Sequence, residues 1–456
     1  MNTLKKLGIE QIVNYFSKDP EKNLVKLLDW ADKFAGGLYP RQRKAIREIL
    51  ADENGPYHPY LMHIANDVDP EVLKTIVTNF FLHANLEGWK KQQEARKKYG
   101  CNIPWAILLD PTSACNLHCT GCWAAEYGNR LNLSFDEIDN IIKQGKELGV
   151  YMYIYTGGEP LVRKNDLIKL CEKHDDCIFL SFTNATLIDE AFANEMLRVK
   201  NFIPAISLEG FEEATDSRRG KGVYDKVIKA IKLLREKKLV FGISACYTKA
   251  NFESITSEAF YDSLIKMGAF FIWYFHYMPV GNDASVDLLP TKEQRLEMIH
   301  RLRDYRSRKP LFAMDFQNDA EYVGGCIAGG RRYLHINANG DADPCVFIHY
   351  SNAYIRKQSL LEVLQSPIFM AYHDGQPFNK NMLRPCPMLE NPELLEEMVK
   401  KTGAHSTDLE SPESAAHLCE KCKRYAEDWK PVADDFWTKR KAERDRMGAS
   451  DNVNPD

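Results

Sequence analysis

Between Trp105 and Met278 the sequence alternates two kinds of segment, and that alternation limits the fold more than any other feature. Apolar and aromatic runs at 105–109, 151–155, 178–183, 202–208, 240–247 and 270–278 read as strands. Helical stretches separate them near 134–148, 163–174, 188–199, 224–237 and 254–267. Ser134 with Glu137, and Thr291 with Gln294 after Pro290, have the spacing of capping boxes. Six strands alternating with helices require a parallel sheet with right-handed crossovers, an α/β barrel or part of one. Chemistry in such a fold sits at the C-terminal strand ends.

The chain has 456 residues, of which 44% are hydrophobic and 27% charged, enough for a sizeable core. Four segments are expected: a helical domain at 1–102, the barrel core at 103–310, a small cysteine-rich domain at 311–430 and a charged tail at 431–456. In the first, Leu24, Leu27, Leu28, Ala31 and Ala35 recur at helical spacing, as do Leu73, Ile76, Phe80 and His83. Gly36-Gly37 and Asn54-Gly55-Pro56 punctuate it, and the basic run from Lys90 to Lys98 reads as a solvated helix face.

A formal net charge of −4 provides no basic field for nucleic acid or an anionic membrane. The apolar run from Ala269 to Phe275 suits one buried strand and is far shorter than the roughly 18 residues of a membrane span. The N-terminus has no signal-peptide pattern, so a cytoplasmic location is expected. There the 12 cysteines stay reduced, and clustered ones read as metal ligands.

Directly after the first strand comes Cys115-Asn-Leu-His-Cys119-Thr-Gly-Cys122. Three thiolates on one loop leave one iron of a four-iron cluster without a protein ligand, the vacancy a substrate or cofactor can fill. Alone, the motif suits a zinc clip equally well. The second strand ends in Thr156-Gly157-Gly158-Glu159-Pro160, where two glycines let the backbone approach a ligand.

Together these motifs resemble those of the radical S-adenosylmethionine (radical SAM) enzymes, with a CxxxCxxC loop followed by a GGEP-type turn. The resemblance implies a partial (β/α)6 TIM barrel in which Cys115, Cys119 and Cys122 hold a [4Fe–4S] cluster. It implies that the cluster's open iron chelates AdoMet, which one electron cleaves to a 5′-deoxyadenosyl radical. It further implies AdoMet contacts from Gly157, Gly158 and Glu159, from Thr183 and Asn184 in a TNG-type turn, and from Ser207. Arg219 is expected to pair with the AdoMet carboxylate, and Met278-Pro279 to flank adenine. Gly121 stands where an aromatic residue is common, with Trp123 following instead. Ala185 replaces a usual glycine, so its turn is expected to avoid positive φ.

Cys326, Gly340 and Cys345 bracket a hairpin reading with Asn339-Gly340 as its tight turn. This is similar to the start of a SPASM or twitch extension, implying an auxiliary [4Fe–4S] cluster. Five cysteines, where a full SPASM pattern has seven, imply one such cluster on Cys326, Cys345, Cys386 and either Cys419 or Cys422. Cys419-x-x-Cys422 also reads as a separate zinc clip. Cys101, Cys171, Cys177 and Cys246 read as buried hydrophobes; of these only Cys246, at a strand end, is also a candidate radical or hydrogen donor. His118 is expected to orient the cluster loop; His276, His335 and His349 read as structural.

The expected function is hydrogen abstraction from an unactivated C–H bond of a peptide or protein, leading to oxidation or to C–C or C–S bond formation. A flavodoxin or ferredoxin is the implied electron donor. Two rival readings are C–H functionalisation of a long-chain lipid, which an apolar tunnel would favour, and a non-catalytic iron–sulfur relay.

Overall fold

The computed structural model describes residues 40–446 together with Lys26 and Asp29. The helical reading of Leu24 to Ala35 and the closing GASDNVNPD therefore lie outside the described residues.

Six strands run parallel and in sequence order: β1 (Ala106–Leu109), β2 (Met152–Tyr155), β3 (Ile178–Thr183), β4 (Phe202–Ser207), β5 (Gly242–Tyr247) and β6 (Phe271–His276). Both expected capping boxes form, with Ser134 opening the helix Phe135–Leu148 and Thr291 opening Lys292–Arg308. The α/β partial barrel is thus as expected, but the sheet is larger. It has nine strands in the order β7-β6-β5-β4-β3-β2-β1-β8-β9. The additions are β7 (Phe312–Asp315), β8 (Tyr333–Ile336) and β9 (Ala342–Asp343).

The cysteine-bracketed hairpin accounts for part of that difference. Strands β8 and β9 are antiparallel, and β8 also pairs in parallel with β1, Ala106 facing Tyr333 and Leu109 facing Ile336. All of β1 is buried, so its second edge needs a hydrogen-bonding partner, and β8 provides it. A boundary at 310/311 consequently does not divide the sheet. The hairpin turn is also wider than Asn339-Gly340 alone: Asn337 N–H donates to Asp341 O, and Gly340 ends a three-residue loop at φ 94°. Strands β7 and β9 lie at opposite ends of the sheet, so the barrel has an open seam.

The N-terminal segments Pro40–Ala51, Tyr57–Asp67, Pro70–Val77 and Trp89–Tyr99 are helical, with a π-helical stretch at Thr78–Gly88. They sit at the strand N-terminal ends. Asn79 donates to the carbonyls of Asp175 and Cys177 before β3, and Gln92 to that of Gly149 before β2. This layer therefore closes the barrel on the side away from its C-terminal strand ends.

The expected tail at 431 does not separate from the body. The helix Ala415–Arg446 runs through it with Pro431 inside. Trp429 and Ala433 are fully buried, and Arg440 reaches the buried Glu321. The charge-rich composition belongs to the exposed face of an amphipathic helix whose other face packs.

Candidate active site

The Cys115–Cys122 loop leaves the C-terminal end of β1 and is laced to its neighbours through backbone groups. Gly158 N–H donates to Thr112 O, and Glu159 N–H to Ala114 O. Gly157 has φ 101°, and a Cβ there would lie 2.7 Å from Thr112 O. At Gly158 a Cβ would lie 2.3 Å from Ala114 O and 2.5 Å from Ser113 O. The two glycines thus admit the cysteine loop itself against the end of β2, a role beyond ligand approach.

Glu159 is buried and organises the next strand end. Its carboxylate accepts from Thr183 Oγ1 at 2.7 Å, Asn184 N–H at 2.8 Å and Leu161 N–H at 3.0 Å. Burial raises its pKa against those donors. Asn184 Nδ2 in turn donates to Asn116 Oδ1, tying β3 to the cysteine loop. The expectation for Ala185 is corrected: its φ is 59°. Thr183 Oγ1 accepts from its N–H, while Asn184 Oδ1 accepts from Thr186, so the flanking side chains hold a turn that glycine would adopt unaided.

After β4, Ser207 faces the site and Glu209 is fully buried. Arg218 lies 2.7 Å from Glu209 Oε1, Arg219 Nε 2.9 Å from the same oxygen, and Cys246 N–H donates to Oε2 at 3.0 Å. Burial pushes the Glu209 carboxyl up, but the two guanidiniums outweigh it and hold the pKa below its usual value. The carboxylate that Arg219 meets is therefore Glu209, while its Nη1 lies 3.9 Å from Cys119 Sγ. Arg218 exchanges two bonds with Thr120, its carbonyl accepting from Thr120 N–H and its Nε donating to Thr120 O. This Glu209–Arg218–Arg219 brace escaped the sequence reading; a Glu after the β4 end followed by paired arginines was its only signal.

A cavity of about 440 Å³ collects these groups. Cys115, Cys119 and Cys122 share it with Gly157, Gly158, Glu159, Thr183, Asn184, Ser207, Arg219, Cys246 and Met278. Pro279 is buried but does not line it. Gly121 has φ 67°, and Tyr277 occupies the space a side chain there would need, 2.7 Å from its would-be Cβ. Burial raises the Cys246 thiol to about 11, so it keeps its hydrogen at neutral pH.

A second cavity, of about 450 Å³, holds Cys326, Cys345 and Cys386. Tyr333 Oη lies 2.8 Å from Cys345 Sγ, and Cys386 Sγ accepts from the N–H groups of Met388 and Leu389. Cys419 and Cys422 are buried one turn apart on Ala415–Arg446 and do not line this cavity. Tyr372, fully buried, lies within the influence of Cys326, Cys345, Cys386 and Cys419.

The donor sets fit iron–sulfur clusters. They are thiols alone, soft ligands in two groups, and among the described residues no three His, Cys, Asp or Glu side chains converge closely enough for a single metal ion. The three histidines read as structural have internal partners: His276 bonds Tyr277 O and Tyr425 Oη, His349 bonds Asp408, and His335 lies within ion-pair distance of Asp110 and Asp343. His118 is exposed.

A parallel partial barrel with three thiols on the loop after β1 defines an iron–sulfur α/β-barrel protein. Residues 109–255 match the Radical SAM superfamily, and 326–388 match the SPASM iron–sulfur cluster-binding domain. The chain thus carries a radical SAM domain followed by a SPASM domain; the first implies AdoMet and a [4Fe–4S] cluster, the second auxiliary iron–sulfur.

Among its relatives is an uncharacterized protein of Archaeoglobus fulgidus, 36% identical over 31% of this chain; the match spans only 34% of that protein. The AdoMet-dependent heme synthase of Methanosarcina barkeri is 24% identical over 58% of this chain and 83% of its own length. The PqqA peptide cyclase of Granulibacter bethesdensis is 26% identical over 53% of this chain and 67% of its own. In fold the chain is similar to Streptococcus suis SuiB bound to S-adenosylmethionine, at TM-score 0.55 and 22% identity, covering 66% of this chain and 76% of SuiB.

Proposed function

We propose that this enzyme binds AdoMet beside Cys115, Cys119 and Cys122 and abstracts hydrogen from an unactivated C–H bond of a peptide or protein substrate. The product is an oxidised residue or a new C–C or C–S bond. The observation that carries this reading is one cavity joining the three sulfurs, the Gly157-Gly158 turn and the Cys246 thiol. The peptide class is favoured by a relative named as a peptide cyclase and a fold neighbour crystallised with a precursor peptide.

With its cluster, AdoMet supplies a one-electron route to a carbon radical. The chain's own residues do the rest. Glu209 with Arg218 and Arg219 holds the cysteine loop in place, and Glu159 fixes Thr183 and Asn184 at the cavity wall. Phe182, Trp273 and Phe275 line the barrel side and exclude water, which protects a reactive carbon from quenching. The Cys246 thiol faces the same space and is the candidate radical carrier of the site. Cys326, Cys345 and Cys386, with Cys419 or Cys422, would hold one auxiliary cluster, which would supply an electron acceptor beside the substrate site. A flavodoxin or ferredoxin reduces the enzyme in the cytoplasm.

The test is anaerobic: reconstituted, reduced protein is incubated with AdoMet and 5′-deoxyadenosine is measured. Product is expected from the unsubstituted protein and absent from the Cys115→Ala, Cys119→Ala, Cys122→Ala variant. Iron-replete protein that forms none sinks the proposal and leaves an electron relay.

A further inference from the structure

Tyr333 stands between the two cavities and forms part of the wall of both. It is buried at the start of β8, where its pairing with Ala106 fixes its backbone beside β1. Its carbonyl accepts from Gly330 N–H at 2.9 Å, and the Phe316 ring stands edge-on to its own at 6.0 Å. The phenol therefore has little freedom to turn. Its Oη lies 2.8 Å from Cys345 Sγ.

Between a neutral hydroxyl and a neutral thiol, either atom can donate. A cysteine that holds iron is a thiolate, which leaves only the phenol as donor. The buried Cys345 sulfur is then the acceptor of a charge-assisted hydrogen bond. Cys386 Sγ accepts from backbone instead, the N–H groups of Met388 and Leu389 each lying 3.4 Å away. The donor at Cys345 is a side chain, so one substitution removes it.

Such a donor has work to do here. Phe316, Phe347, Ile327, Ala328 and Ile348 line the same cavity as the cysteines. A [4Fe–4S] cluster on four thiolates is already anionic, and one more electron adds charge where little water is present to solvate it. Hydrogen bonds to the sulfurs take up part of that charge and move the reduction potential upward. Met314, Phe316 and Phe347 also line both cavities, but none of them has a polar proton to give.

We propose that Tyr333 is a positioning residue for electron transfer: its hydroxyl donates to Cys345 Sγ, stabilises the reduced auxiliary cluster, and so keeps an electron acceptor ready at the wall of the AdoMet cavity. The reaction it tunes is the uptake of one electron by the oxidised cluster, in which no bond to iron is made or broken. The inference rests on the proposed auxiliary cluster and deepens it by naming what sets its potential.

The test uses full-length protein carrying Cys115→Ala, Cys119→Ala and Cys122→Ala, so that the auxiliary cluster alone gives the signal. Iron is counted first; reduction is then titrated anaerobically with dithionite and followed by electron paramagnetic resonance. Tyr333→Phe keeps the ring and removes the hydroxyl, and about four irons per chain should remain. Its equilibrium constant for reduction should fall at least tenfold, a midpoint lower by about 59 mV for one electron. Where Tyr333 is kept, exchange into D2O should leave a deuteron coupled to the reduced cluster in pulsed spectra, and Tyr333→Phe should lose it. An unchanged midpoint with iron in place overturns the inference and leaves the radical function standing. Loss of iron from Tyr333→Phe also overturns it, because the hydroxyl would then hold the site together rather than tune it. No coupled deuteron where Tyr333 is kept overturns it without reference to the variant. Absence of iron before Tyr333 is changed removes the auxiliary cluster and the inference with it. Formation of 5′-deoxyadenosine by the unsubstituted protein reports separately on the AdoMet site.

Discussion

His335 Nε2 lies 2.9 Å from Asp110 Oδ1, joining the SPASM-side strand β8 to the end of β1 where the cysteine loop begins. The other ring nitrogen lies 3.5 Å from Asp343 Oδ2, which also accepts from Tyr127 Oη while Thr407 Oγ1 donates to Oδ1. The Trp123 ring, one residue past Cys122, stands edge-on to His335 at 5.6 Å. A buried charge thus links the cysteine loop to the hairpin that leads to Cys345.

That link titrates. Burial disfavours the imidazolium, but Asp110 and Asp343 outweigh it and raise the His335 pKa from 6.5 to about 9. A raised folded-state pKa contributes stability that is complete below about 6.5 and lost as pH rises through about 9. Unfolding by urea, followed from pH 6 to 9.5, should show a loss of stability on the order of 3 kcal/mol. His335→Gln should be less stable at pH 6.5 by about 3–5 kcal/mol, because two carboxylates lose their buried counter-charge, and its pH dependence should flatten. An unchanged pH profile in that variant would mean His335 is not the titrating group.

Glu209→Gln leaves Arg218 and Arg219 buried without their carboxylate. A stability loss of about 3–5 kcal/mol is expected, together with weaker iron retention by the loop they brace. Thermal unfolding and iron analysis after desalting check both. If iron falls while stability is unchanged, the pair acts on the loop alone.

Gly158→Ala drives a methyl group into the carbonyls of Ser113 and Ala114, which belong to backbone and cannot swing away. AdoMet cleavage should fall at least tenfold. Gly403→Ala is the control: nothing lies within 4 Å of its Cβ, and only the strain of φ 69°, about 1 kcal/mol, is felt. Equal loss in both variants would point to general destabilisation.

Iron counting decides the auxiliary site. The full enzyme should hold about eight irons per chain and the Cys115→Ala, Cys119→Ala, Cys122→Ala variant about four, if one auxiliary [4Fe–4S] cluster is present. Adding Cys386→Ala to that variant should abolish the remainder. Cys419→Ala and Cys422→Ala, compared singly, identify the fourth ligand.

Some of this architecture is local and therefore legible in the chain. Ser134 and Thr291 meet their capping partners three residues away, and the apolar runs of β1 to β6 are each self-contained. Residues that act across long separations were not legible. Nothing in Tyr333–Ile336 says that it completes β1, because an edge strand and a hairpin strand have the same alternation. The Lys439 to Arg446 composition reads as an exposed helix and is one, but only the burial of Trp429 and Ala433 shows that the same helix packs against the body further back. Ala185 shows the same limit in miniature: its left-handed turn is stabilised by Thr183 and Asn184, and so by the Glu159 that holds them.

The sequence by itself determined the barrel, the three-thiol loop and the glycine turn beside it, because each depends on residue types at short spacing. Only the tertiary structure decided that Arg219 meets Glu209, that His335 joins the two cysteine regions, and that Tyr333 meets Cys345. Burial creates those relationships: a charge or cavity acquires its chemistry from whichever distant segments exclude water from it.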